Sequence, residues 1–288
     1  MGSIKAVVFS TLYQFWWFVG VIALMGLILY LLARTTRRNY SQSVGPNFDT
    51  YFTGWIGTPV HEFGHWLLCL VFMHKVKEVH FFKPDPKSGT LGFVSHTYNK
   101  KSIYQKIGNF FIGIGPMLVG GGILMALAYF MLPGRGNMVN QFNDFTEGWP
   151  IEVSYGWKSG LVAVGDGFWV FVKLLFTKAN LHSPLFWGFT YIALCISSHM
   201  MLSISDIKTA LMGALMVLAV LLVANVMSEL ISAFAKDSFQ FTISNRISLV
   251  SMHFGAMAIF LLSFSVALSF INMLLSLLVN NIGGLMKK

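Results

Sequence analysis

The sequence predicts an all-α polytopic membrane protein, with about six transmembrane helices and one small β-hairpin. Three observations carry this. Hydrophobic residues make up 55% of the 288 and charged ones only 11%, against roughly 25% charged in soluble domains. Uncharged apolar runs long enough to cross about 30 Å of hydrocarbon recur along the chain. One segment breaks the pattern, setting β-branched and aromatic residues on either side of a Pro- and Gly-rich turn. Residues 1–288 read as a single integral membrane domain without internal repeats.

The first span is residues 15–33 (FWWFVGVIALMGLILYLLA). It is too long for a signal-peptide core and lacks a small-residue cleavage site, so it is expected to be an anchor. Gly2 is followed by Ala6 where a myristoylation signal wants Ser or Thr. Residues 51–74 form the second span, whose single formal charge is Glu62. Further spans are expected at 110–132, at 184–205 and at 210–235, the last interrupted by Asn225, Ser228 and Glu229. Residues 247–279 greatly exceed the bilayer at 1.5 Å per residue, so this run should tilt, break or continue along the surface. A seventh apolar stretch, 161–181, carries Asp166, Lys173 and Lys178 and reads as an interfacial or re-entrant helix.

Two segments lie between spans. The first is a hairpin within residues 75–100, pairing Val76–Lys83 with Thr90–Tyr98 across Pro84–Gly89. It is either an ordinary surface hairpin or an edge that receives an unwound peptide by strand addition. The second is the extramembrane segment 133–183, whose first part, 133–160, opens with PGRGNMVNQFNDFTEGWP and is expected to be an irregular loop, or a lid if functional.

The net charge of +9 is spread among loops, with seven lysines in residues 75–106. Contact with anionic headgroups of the bilayer on the cytoplasmic face explains them. Nucleic-acid binding is the poorer reading, because no soluble domain exists to carry it. With six spans and a cytoplasmic N-terminus, Lys5, those seven lysines, Lys208, Lys287 and Lys288 fall inside, and the remaining nine basic residues outside. The inside-N orientation is favoured narrowly. Cys69 and Cys195 both lie in apolar runs and read as small buried hydrophobes, with no Cys-based zinc site expected.

The second span contains Thr58-Pro-Val-His-Glu-Phe-Gly-His-Trp-Leu67. On a helix, His61 and His65 project from one face and can grip one zinc ion, while Glu62 can serve as general base. An ionisable residue within a span marks a functional site by default. The alternative is a pair of helix-packing histidines with a glutamate satisfied by a neighbour.

Two histidines do not complete a protein zinc site. Asp206 is the preferred third ligand, in Ile196-Ser-Ser-His-Met-Met-Leu-Ser-Ile-Ser-Asp206. If helix continues through this stretch, His199, Ser203 and Asp206 form one polar stripe, with His199 and Ser203 as supporting groups. Asp206 could instead cap the next helix. Asp166, in Val164-Gly-Asp-Gly-Phe168, and Glu229, in Asn225-Val-Met-Ser-Glu229, are the alternative ligands. His74 and His253 are expected to stand alone.

These residues resemble the site-2 protease family of intramembrane zinc metalloproteases. The resemblance covers roughly residues 51–210 and rests on His61-Glu62-x-x-His65 and on Phe111-Ile-Gly-Ile-Gly-Pro116. It implies His61, His65 and an aspartate as zinc ligands, Glu62 as base, and a membrane-anchored protein as substrate. The family's Asn-x-x-Pro…Leu-Asp-Gly is absent, and Leu202-Ser-Ile-Ser-Asp-Ile-Lys208 stands in its place. Two other readings remain. One is a membrane zincin of the prenyl-protein protease or heat-shock type using Glu229. The other is a non-enzymatic transporter whose histidines and acids line a metal or proton path.

Overall fold

The computed structural model describes residues 2–45, 47–85, 89–154, 157–234 and 240–286. Helix α1 (Gly2–Phe15) runs through a π-helical segment, Trp16–Gly20, into α2 (Val21–Ser43). Short α3 (Phe48–Phe52) leads into α4 (Gly54–Val71), which carries the motif. Strands β1 (Lys75–His80) and β2 (Phe93–Thr97) pair antiparallel, with a bulge between Val76 and Glu78. The hairpin is thus where the turn chemistry puts it, though both strands are shorter than expected.

Helices α5 (Ile103–Gly113) and α6 (Gly115–Met131) follow, bent by 60° at Ile114. Then come α7 (Arg135–Ser154), α8 (Trp157–Leu175), α9 (Lys178–Leu181) and α10 (Pro184–Ser198). The chain ends in α11 (Ile204–Phe234) and α12 (Gln240–Met286).

Among the described residues, three helical stretches are long and apolar enough to cross a membrane: Ile4–Ser43, Ile204–Ile231 and Ser244–Ile282. The bent pair α5–α6 makes a fourth if it counts as one crossing. The expected six are not all seen. Helix α4 has 18 residues but is not among these stretches, and α10 is shorter still at 15. The 47 residues of α12 form one unbroken helix, about 70 Å long.

Helix α12 is the core. Its apolar window is 67% buried, against 22% for each of the other two long stretches, so neighbours wrap it and turn their own apolar faces outward. Leu24, Leu27 and Leu31 of α2 and Leu211, Leu215 and Val223 of α11 are among those exposed side chains, as suits lipid contact. Inside, Phe18 stacks on Phe254 at 4.3 Å and Phe171 meets Phe260 edge-on at 4.6 Å. Small polar groups pin the helices together: Asn39 donates to Ser276 (2.9 Å), Tyr40 to Asn272 (2.9 Å), and Asn272 to Ser198 (2.5 Å). Such bonds join helices where no hydrophobic driving force distinguishes partner from lipid.

The segment after residue 133 is not an irregular loop. Phe142, Phe145 and Trp149 recur at helical spacing, and their rings meet Phe260 and Trp17. Packing of that aromatic stripe overrides the weak helix propensity of the Gly and Asn residues around it.

Candidate metal centre

Helix geometry stacks His61 and His65 one turn apart, with ring centroids 5.0 Å apart. Each ring is oriented from behind by a backbone carbonyl. His61 Nδ1–H donates to the His199 carbonyl at 2.6 Å, and His65 Nδ1–H to the Ile112 carbonyl at 2.7 Å. That assignment leaves both Nε2 lone pairs facing the Asp206 carboxylate, at 3.6 Å from His61 and 3.2 Å from His65. A hydrogen-bonded far nitrogen is the usual support of a metal-ligating histidine.

Both accepting carbonyls lack an i+4 helical donor for reasons the sequence supplies. In an unbroken helix, the Ile112 carbonyl would accept from the backbone N–H of residue 116, but residue 116 is proline and has none. The His199 carbonyl lies just past the end of α10, where helical partners run out.

The glycines beside Pro116 let three elements meet. A Cβ on Gly64 would lie 2.8 Å from the Gly115 carbonyl carbon, so α4 and α6 touch backbone to backbone. A Cβ on Gly113 would lie 2.6 Å from the Asp206 carbonyl, so the first turn of α11 abuts the end of α5. The bend at 113–116 therefore holds the motif helix on one side and the aspartate on the other.

Asp206 also caps its helix. The Ser203 amide donates to Asp206 Oδ2 at 2.8 Å, and the Asp206 amide to Ser203 Oγ at 3.2 Å, a reciprocal capping box. The expected continuous polar stripe is thus corrected: residues 199–203 leave the helix. Ser203 holds the aspartate through the cap, and His199 supports His61 with its carbonyl and not its ring. The His199 ring packs over Gly57 and donates to the Cys195 carbonyl at 3.1 Å.

Asp166 is exposed on α8 and outside the cluster. Glu229 lies on the same unbroken helix as Asp206, 23 residues on and therefore about 35 Å away. Neither alternative ligand reaches the histidines.

His61, His65 and Asp206 offer ligand atoms all within 4.8 Å of one another. Zinc bonds of 2.0–2.2 Å to N and O place tetrahedral ligand atoms about 3.3–3.5 Å apart, so the donor set fits a zinc ion with little movement. The three residues and Glu62 line a cavity of about 820 Å³. Glu62 is buried, its Cγ resting against Gly92, where a Cβ would come within 2.9 Å. Residues 89–94 line the same cavity.

The sequence pattern missed Arg37 and Asp49, which line the same cavity and pair at 2.9 Å. One signal was present: Asp49 is the first acidic residue in the chain, just ahead of the motif helix. Comparison with protein-family models, curated proteins and solved structures finds no match to this chain.

Proposed function

We propose that this protein is an intramembrane zinc-dependent endopeptidase that cuts a membrane-anchored protein in or near its transmembrane segment. One observation carries the reading: two motif histidines and Asp206 converge, each imidazole back-bonded to a carbonyl, in a cavity that Glu62 also lines. Zinc, when bound, supplies Lewis acidity that polarises a carbonyl and acidifies water toward neutrality. Glu62 takes the proton of the attacking water and returns it to the leaving amine. His199 and Ile112 hold the imidazoles in one tautomer through their carbonyls, and Ser203 holds the carboxylate of Asp206.

The polar side of the cavity, with Arg37, Asp49 and Ser205, gives water a path to buried groups. A substrate helix must surrender backbone hydrogen bonds before it can be cut. The sheet has two strands among the described residues, so β2 keeps an outer edge beside the cavity where an unwound peptide can pair. With the motif helix counted as a second crossing, the N-terminus and the lysine-rich hairpin share one side, which we assign to the cytoplasm, where the lysines meet anionic headgroups.

The test is co-reconstitution of zinc-loaded protein with a panel of fluorescent single-span peptides, some with helix-breaking residues in the span. Cleavage by wild type, and none above background by Glu62→Gln with its metal retained, is the expected result. Equal product from both proteins would remove Glu62 from the mechanism. No cleavage of any peptide by the zinc-loaded wild type would leave the endopeptidase reading without support.

A further inference from the structure

A second group of metal-ligating side chains stands apart from the first. Cys69, His74 and His96 bring Sγ and two ring nitrogens within 4.8 Å of one another. Cys69 and His74 are buried, and His96 lines the large cavity. Cys69 is buried, as expected, whereas His74, expected to stand alone, sits beside His96 with their Nδ1 atoms 3.1 Å apart.

The backbone assembles the cluster through an uncommon turn. Met73, just past the end of α4, has φ of 56°, the left-handed region and the sole non-glycine case among the described residues. This turn folds the His74 amide back onto the Cys69 carbonyl at 2.8 Å. The hairpin register then sets His96 across from Val76. Gln105 locks the arrangement: its side-chain amide donates to the Met73 carbonyl at 2.7 Å, and its own carbonyl accepts from His74 Nε2 at 2.9 Å. With Nε2 committed as donor, His74 Nδ1 presents a lone pair, 3.1 Å from His96 Nδ1.

We propose that Cys69, His74 and His96 bind a second zinc-like divalent cation through one thiolate and two imidazole Nδ1 atoms, with a fourth position open to the cavity. Bond lengths of 2.3 Å to sulfur and 2.0–2.1 Å to nitrogen require ligand atoms about 3.3–3.6 Å apart, which this cluster approaches. On binding, the Cys69 S–H bond breaks and an S–metal bond forms, the proton leaving to water through the cavity. His96 moves its proton from Nδ1 to Nε2 without net change. Without metal the two imidazoles simply share that Nδ1 proton as a hydrogen bond. Gln105 supplies the outer hydrogen bond that fixes the His74 tautomer. The ion would clamp the end of the motif helix to β2, the strand that borders the catalytic cavity.

This site is independent of the endopeptidase reading, and a sulfur signature separates the two. The full chain, purified in detergent and stripped by chelation, is titrated with Co²⁺ alone. Wild type is expected to take up two ions and to show a near-ultraviolet sulfur-to-cobalt charge-transfer band. His61→Ala should keep that band and lose one ion, and Cys69→Ser should lose the band and keep one ion. Should Cys69→Ser fail to fold, His96→Gln is expected to weaken the band-forming step at least tenfold. A folded wild type saturated with cobalt but without the band overturns the proposal, as does a band that survives in Cys69→Ser. Loss of uptake at the first site alone would count against the endopeptidase reading and leave this one standing.

Discussion

Asp206 and Ser203 hold each other: the Ser203 amide donates to the aspartate's Oδ2 at 2.8 Å, and the Asp206 amide donates to the serine Oγ at 3.2 Å. The carboxylate that faces both motif histidines is therefore fixed by the start of its own helix, and ligation and capping can be separated by mutation. Asp206→Asn keeps an acceptor for the Ser203 amide but loses the charge. Its thermal stability should stay near wild type while zinc content falls. Asp206→Ala should lose zinc and also some stability, because the Ser203 amide loses its acceptor in the capping box. Metal analysis beside thermal unfolding distinguishes the two, and full zinc occupancy in Asp206→Asn would remove the residue from the ligand set.

Pro116 leaves the Ile112 carbonyl without its helical donor, and His65 uses that carbonyl. Pro116→Ala restores a competing N–H. Zinc affinity, read by competition with a chromophoric chelator, should drop by about tenfold or more, the scale of losing an outer-shell partner. An unchanged affinity would show that His65 holds its tautomer by other means.

Gly92 lies against Glu62. A methyl group there would sit 2.9 Å from Glu62 Cγ and 2.7 Å from the His80 carbonyl, so one of them must move. Gly92→Ala should keep its zinc yet lose turnover by about 10²-fold, the cost of misplacing a reacting group by roughly 1 Å. Measuring cleavage and metal content on the same sample checks this; parallel loss of both would point instead to a collapsed cavity.

Glu229 and Asp166 stand away from the histidines. Glu229→Gln and Asp166→Asn should each leave zinc stoichiometry at the wild-type value. Metal lost from Glu229→Gln would revive a zincin of the other type and contradict the geometry of α11.

How much of this was legible beforehand depended on distance along the chain. The pairing of His61 with His65, and Glu62 beside them, follows from one turn of helix, so five consecutive residues carried it. The hairpin was legible in Pro84–Gly89 for the same local reason. Helix α7 was not, because Phe142, Phe145 and Trp149 gain their helix from Phe260 and Trp17, neither of which is local. The polar stripe through His199 and Ser203 failed because Ser203 starts a new helix in place of extending the old one.

By itself the sequence determined the membrane character and the motif face with Glu62 beside it, since composition and helical periodicity act through bonded neighbours. Only the tertiary structure decided that Asp206, and neither Asp166 nor Glu229, meets the histidines. It also decided that carbonyls of Ile112 and His199 orient them, and that Cys69 stands with His74 and His96. Those choices rest on backbone contacts at Gly64, Gly113 and Gly115 and on a left-handed Met73. Close packing between distant elements selects among chemically equivalent side chains, and no periodicity in the sequence records it.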